Sequence, residues 1–133
     1  RKISVFGGSQ LRPNIHMYDM IRSYYSLLVS DSNLINNEAF NAGSENISVM
    51  EIANLVQNVV GDDIKIETTT SNDNRSYHIS SKKIEKILGF KSEKTIRNAI
   101  EDLKNFFQKN SINDTFSNPK YININTMKKI NLE

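Results

Sequence analysis

Residues 5–20 constrain this chain most, because they change backbone type three times. The apolar run from Ile3 to Phe6 reads as a strand. Gly7-Gly8 closes it, since glycine reaches positive φ without a steric penalty. Leu11-Arg12-Pro13 is then extended, because a proline pushes the residue before it out of the helical region. From Met17 the pattern turns helical: Met17, Met20, Ile21, Tyr24, Tyr25 and Leu28 recur at the spacing of one helix face. Asp19 lies in the first turn, where a carboxylate suits the helix dipole. The glycine pair is followed by an extended run and not by a helix. It therefore lacks the form of a phosphate-cradling turn at a helix N-terminus.

The remaining chain repeats this mixture. Glu38–Gly43 reads as a short strand entering a turn. Ser48 and Glu51 have capping-box spacing, flanked by Ile47 and Ile52 as a hydrophobic staple. Val49, Ile52, Ala53, Val56, Val59 and Val60 form a buried stripe that Gly61 stops. Ile64–Thr70 alternates and is β-rich, a half-buried strand. After a loop at 71–74, residues 75–79 are extended. Ser81 caps a short helix that carries Ile84, Ile87 and Leu88 and ends at Gly89. Ser92 opens a last long helix with Ile96, Ala99, Ile100, Leu103 and Phe107 on one face. Asn118–Tyr121 reads as a turn, and the tail beyond it as poorly ordered or packed on a partner. The fold class is mixed α/β, divided into a lobe at 1–112 and a tail at 113–133.

A chain of 133 residues, 38% of them hydrophobic, supports a real core. The net charge of +2 comes from 17 basic and 15 acidic side chains that alternate, so no stripe marks a nucleic-acid surface. No apolar run approaches membrane-spanning length. Without cysteine there is no disulfide framework, thiol nucleophile or zinc–thiolate site. The chain opens in a strand-like run without methionine and reads as part of a longer protein, cytoplasmic in location.

No tyrosine precedes a lysine by four positions, and His16 and His78 stand apart from other metal-ligand types. His16, at a strand-to-helix junction, reads as a local hydrogen-bonding residue. Tyr18, Tyr24 and Tyr25 read as core or rim, and Lys82-Lys83 and Lys128-Lys129 as solvated. Binding is the more plausible chemistry. The forked donors of Arg12 suit a phosphate, and Phe6 offers a face to a flat base. Spacing alone nevertheless favours a surface salt bridge for Arg12, core packing for Phe6 and a solvated loop for Asp73 and Arg75.

Four stretches together resemble a known family. Val5-Phe6-Gly7-Gly8-Ser9-Gln10-Leu11-Arg12-Pro13-Asn14-Ile15-His16-Met17-Tyr18-Asp19 resembles the "V-Y/F-G-x-G-x-Q-x-R-x-x-I-H-V-x-D" run of extended short-chain dehydrogenase/reductases, the NAD-dependent epimerase/dehydratase family of nucleotide-sugar enzymes. Phe40-Asn41-Ala42-Gly43-Ser44 is similar to "F/Y-N-V-G-S". Asp73-Asn74-Arg75-Ser76-Tyr77-His78-Ile79-Ser80 is similar to "D-x-R-S-Y-x-V-D", and the run from Lys83 to Lys91 to "K-I-x-x-x-L-G-F/W-x-P". The chain departs from the pattern at Thr70, where many members carry an arginine, at Ser80 for aspartate and at Ser92 for proline.

This resemblance implies the C-terminal substrate-binding lobe of a Rossmann-type enzyme, with the N-terminal NAD-binding domain and its Ser/Tyr/Lys set lying outside these residues. NAD would then be bound by the parent protein and not by this chain, which alone would be inactive. Phe6 would lie against the base, Arg12 on the diphosphate and Asp73 near the ribose. Gln10 and Arg75 join the same substrate-binding set, with Tyr77 on its rim. The implied partners are a nucleotide-diphosphate sugar, the Rossmann domain of the same chain and a homodimer of the parent, with neither nucleic acid nor membrane. The alternative is a stand-alone, non-catalytic nucleotide-sugar-binding or interaction domain.

Overall fold

The computed structural model describes residues 1–72, 75–110, 114–115 and 117–131. The elements in chain order are β1 (Lys2–Phe6), β2 (Leu11–Asn14), α1 (Met17–Leu28), α2 (Ser32–Ile35), β3 (Glu45–Ser48), α3 (Val49–Val60), β4 (Lys65–Thr69), α4 (Lys82–Leu88), α5 (Ile96–Lys109), a 3₁₀ turn (Pro119–Tyr121) and α6 (Asn123–Lys129). The chain divides into two compact units, Arg1–Leu103 and Lys104–Glu133, with the division inside α5. The mixed α/β expectation holds.

The first unit contains two small sheets. β1 and β4 are parallel, with Lys2 opposite Lys65 and Phe6 opposite Thr69. A parallel pair needs a long crossover, and α3 lies within it, packing on both strands. Val5 is buried on that side, while Lys2, Ser4 and Phe6 alternate outward. β2 and β3 are antiparallel, with Arg12 opposite Ile47. α3 starts at the expected capping box: Ser48 Oγ accepts from Glu51 N–H, and the Glu51 carboxylate accepts from Ser48 N–H. Those bonds hold the Glu51 carboxyl below its usual range. Gly61 and Gly89 end α3 and α4 as expected, Gly89 at φ 66° in the left-handed region.

Several expectations need correction, each for a long-range reason. Residues 38–43 form no strand, and β3 begins only at Glu45. Gly43 instead donates its N–H to Ser81 Oγ at 2.9 Å and accepts from the same hydroxyl at 3.0 Å. Ser81 consequently makes no side-chain cap on α4, although it sits at the N-cap position. Lys83 is not merely solvated. It bonds Glu38 and the Ala39 carbonyl and lies over the Phe40 ring. The last long helix, α5, starts at Ile96 and not at Ser92. Thr95 Oγ1 accepts from Asn98 N–H there, the N-cap geometry.

Asp19 ties α1 to the residues just before α5. Its side chain is 0% exposed. Oδ2 accepts from the backbone N–H groups of Glu93 and Lys94 at 3.0 and 2.9 Å, and Oδ1 accepts from Arg22 Nη1 at 2.8 Å. The N–H groups of residues 93 and 94 thus bond a carboxylate on α1. Arg22 also bonds Glu93 and the Lys91 carbonyl and lies over the rings of Tyr18 and Phe90. Burial raises the Asp19 pKa, but the two N–H groups and Arg22 outweigh it, and the carboxyl lies below its usual range.

The apolar face of α1 is not core. Asp19 and Ser23 are its buried residues, whereas Met17, Ile21, Tyr24, Tyr25 and Leu28 are exposed, Leu28 to 84%. Helical periodicity establishes that these side chains share a face, not that anything covers it. On α5 Ile96 is buried, but Leu103 and Phe107 are exposed. The core of the described residues lies instead at Val5, Ala53, Ile64, Ile84, Phe90 and Ile96. In the second unit Pro119–Tyr121 is the expected turn, capped by Asn118. The tail beyond it carries α6.

Replacing Asp19 with alanine strands two N–H donors and a guanidinium. It is expected to lower stability by about 3–5 kcal/mol, the cost of breaking a buried pair, read by urea unfolding; a loss below about 1 kcal/mol contradicts this role. The lowered pKa fixes the sign of the pH effect. The carboxylate stabilises fully above the ordinary aspartate value of about 3.9 and loses that contribution as pH falls through the lower native value. The melting temperature of Asp19→Asn should therefore fall less steeply than the wild type's on acidification below about pH 4.

Candidate functional site

Strand β2 carries Arg12 and is held on both edges. On one edge it pairs with β3. On the other, residues 75–77 supply single bonds in place of a ladder. Leu11 N–H donates to Ser76 Oγ at 2.9 Å, and Tyr77 N–H donates to the Leu11 carbonyl at 3.1 Å. Further along, the Asn46 amide both accepts from Ile79 N–H and donates to the Ile79 carbonyl. An amide in this position does the work of an adjacent strand, which is why 75–79 need not pair as one.

Arg12 stands in the middle of β2, half-buried. Its Nη1 donates to the Leu11 carbonyl at 2.9 Å and to the Arg75 carbonyl at 2.6 Å. Its Cζ lies 5.2 Å from the centroid of the Tyr77 ring, within cation–π range. The salt bridge that spacing favoured is not found: among the described residues no carboxylate pairs with Arg12. Arg1 by contrast pairs with Asp63, and Arg22 with Asp19 and Glu93. Nη1 has spent both of its hydrogens on carbonyls. Nε and Nη2 keep three donors with no protein acceptor among the described residues.

Phe6 ends β1 and is 62% exposed, so the core packing that spacing favoured does not occur. Gln10 locks the turn after it. Gln10 Nε2 donates to the Phe6 carbonyl, and Gln10 Oε1 accepts from Gly8 N–H, both at 2.6 Å. Gly7 lies between them at φ 76°, and a Cβ there would meet Gln10 Oε1 at 2.8 Å. The Gln10 amide thus serves the turn at both ends. Arg75 reaches the site through its carbonyl. Asp73 lies outside the described residues.

His16 takes its expected local role, as the N-cap of α1. Nδ1 accepts from Tyr18 N–H at 3.0 Å, so in the neutral ring the proton sits on Nε2 and is donated to Asp102 at 3.2 Å. Sequence reasoning gave no role to Ser76, whose hydroxyl meets Leu11 only because the fold brings residues 65 positions apart together. No group of three or more metal-ligating side chains is present among the described residues, and no helix there is long and apolar enough to cross a membrane.

No family model matches the chain, and no curated protein matches its sequence. Solved structures do match. UDP-glucuronic acid 4-epimerase from Bacillus cereus, in complex with UDP-glucuronic acid and NAD, superposes with a TM-score of 0.70 at 18% identity, over 82% of this chain and 36% of that one. UDP-glucose 4-epimerase from Bifidobacterium longum, in complex with NAD+ and UDP, gives 0.67 at 22%, over 84% and 36%. L-threonine dehydrogenase from Phytophthora infestans gives 0.70 at 13%, over 81% and 37%. The chain spans a little over a third of the length of these proteins. It has part of the fold of extended short-chain dehydrogenase/reductases, and that fold serves both UDP-sugar and threonine enzymes.

The Gly7-Gly8 turn joins β1 to strand β2, so no helix N-terminus faces a pyrophosphate there.

Gly7→Ala places a Cβ at positive φ against the Gln10 amide. It is expected to cost about 1–2 kcal/mol in chemical unfolding; no measurable loss would show that the turn relaxes freely.

Proposed function

We propose that this chain is the substrate-binding portion of an NAD-dependent nucleotide-sugar epimerase or dehydratase, and that it holds the nucleotide diphosphate. The observation that carries the reading is the state of Arg12: half-buried, fixed on one nitrogen by two carbonyls, without a counter-ion among the described residues, and with three donors left over. A diphosphate supplies the missing charge and the paired oxygens that a guanidinium matches. The exposed ring of Phe6 is available to a base. Gln10 keeps its place in the substrate set by fixing the turn that presents Phe6. Asp73 is assigned to the ribose and Arg75 to the diphosphate rim on the family resemblance. The lobe at 1–112 carries this role, with 113–133 as a tail.

The hydride chemistry and the NAD belong, in this reading, to an N-terminal Rossmann domain of the same parent chain. The exposed apolar face of α1 supports such a partner, because faces of this size on one helix are rarely left to solvent. The parent is assigned to the cytoplasm, and a homodimer of it is consistent with its enzyme class. The contribution of this chain is positioning: a held diphosphate fixes where the sugar meets the nicotinamide.

A charge-assisted contact contributes about 1.5–3 kcal/mol, and each 1.4 kcal/mol is about tenfold in affinity. Arg12→Ala in the complete enzyme is expected to raise the nucleotide-sugar KM about tenfold or more. Unchanged kinetics would remove Arg12 from the site. A thermal-shift comparison of uridine, thymidine, guanosine and cytidine diphosphates with threonine separates the two substrate classes served by this fold: a shift with threonine alone overturns the proposal.

A further inference from the structure

We propose that Tyr77 is the positioning residue for Arg12, and that its ring, not its hydroxyl, holds the guanidinium in the orientation that receives a diphosphate. The inference rests on the reading of Arg12 given above and extends it to a residue that need not touch the ligand.

The geometry closes around the arginine from two sides. Along its edge, Nη1 is held by the carbonyls of Leu11 and Arg75. Across its face, the Tyr77 ring lies 5.2 Å from Cζ. The ring is itself fixed relative to β2, because Tyr77 N–H donates to the Leu11 carbonyl, the same oxygen that accepts from Arg12 Nη1. One carbonyl thus ties together the strand, the guanidinium and the backbone that carries the ring. Ser76 Oγ completes the attachment by accepting from Leu11 N–H.

An unrestrained arginine loses side-chain freedom on binding, and that loss is subtracted from its affinity. Edge bonds to a single nitrogen leave the guanidinium plane able to rotate about them. A ring against the face removes that rotation, because the cation is drawn to the face of the π system. The three unspent donors on Nε and Nη2 then keep one direction. The aromatic face carries this effect, so phenylalanine should substitute for Tyr77 and leucine should not.

The test is calorimetric titration of the chain with uridine diphosphate and with inorganic pyrophosphate, for wild type, Arg12→Gln, Tyr77→Phe, Tyr77→Leu and the Arg12→Gln/Tyr77→Leu double variant. Wild type and Tyr77→Phe should bind within about twofold of each other, and Tyr77→Leu about fivefold or more weakly. In the double variant the leucine should add no further loss to that of Arg12→Gln. Tyr77→Leu binding as wild type does, or losses that multiply in the double variant, would overturn the role of Tyr77 while leaving Arg12 in the site. Failure of wild type to bind either ligand would overturn the diphosphate reading and this inference with it. A ligand-free measurement guards against misfolding: ¹⁵N relaxation of Arg12 Nε should report restricted motion in wild type and Tyr77→Phe and faster motion in Tyr77→Leu. Equal mobility in all three would also sink the proposal.

Discussion

Strand β2 is only four residues long, yet most of the functional argument passes through it. It is held by β3 on one edge and by Ser76 and Tyr77 on the other. A short strand with an internal proline cannot complete a ladder on both sides. The Ser76 hydroxyl supplies to Leu11 N–H what regular pairing would otherwise give. The outcome is a fixed backbone beneath Arg12 with a second segment brought alongside it. The guanidinium meets carbonyls and a ring there in place of a carboxylate, so its charge remains unneutralised by the described residues.

Asp19 plays the corresponding part elsewhere in the first unit. A fully buried carboxylate is costly unless every oxygen is matched, and this one is matched by two N–H groups and an arginine. The consequence is a close tie between α1 and residues 93–94, with Arg22 sandwiched between the rings of Tyr18 and Phe90. The polar side of α1 thus faces the protein and its apolar side faces out. In an isolated amphipathic helix the opposite arrangement is the rule. Here a few buried hydrogen bonds decide which side packs, and the apolar side is left exposed.

Features governed by neighbouring residues were legible in the sequence. The Ser48–Glu51 capping box, the glycine stops at 61 and 89, the β-rich run of β4 and the strand–turn–strand–helix order of residues 5–20 all follow from local chemistry. Features governed by distant partners were not. Ser81 looked like a helix cap because no local signal shows that its hydroxyl is engaged by Gly43. Ser92 looked like a helix start because nothing local shows that α5 is capped at Thr95, or that the N–H groups before it bond Asp19, 74 and 75 positions away. At the site, residue types were readable but environments were not. The spacing that suggested a salt bridge for Arg12 and burial for Phe6 misjudged both, because neither counter-ions nor solvent exposure follow from spacing. The fold that the family resemblance implied is the one found.

The central claim is that the unspent donors of Arg12 receive a diphosphate, and a crystal structure of the chain with uridine diphosphate tests it most directly. The account predicts phosphate oxygens within about 3.2 Å of Arg12 Nε and Nη2, with Nη1 still on the Leu11 and Arg75 carbonyls and the uracil against Phe6. A diphosphate bound elsewhere, or an Arg12 side chain turned away from it, would contradict the account.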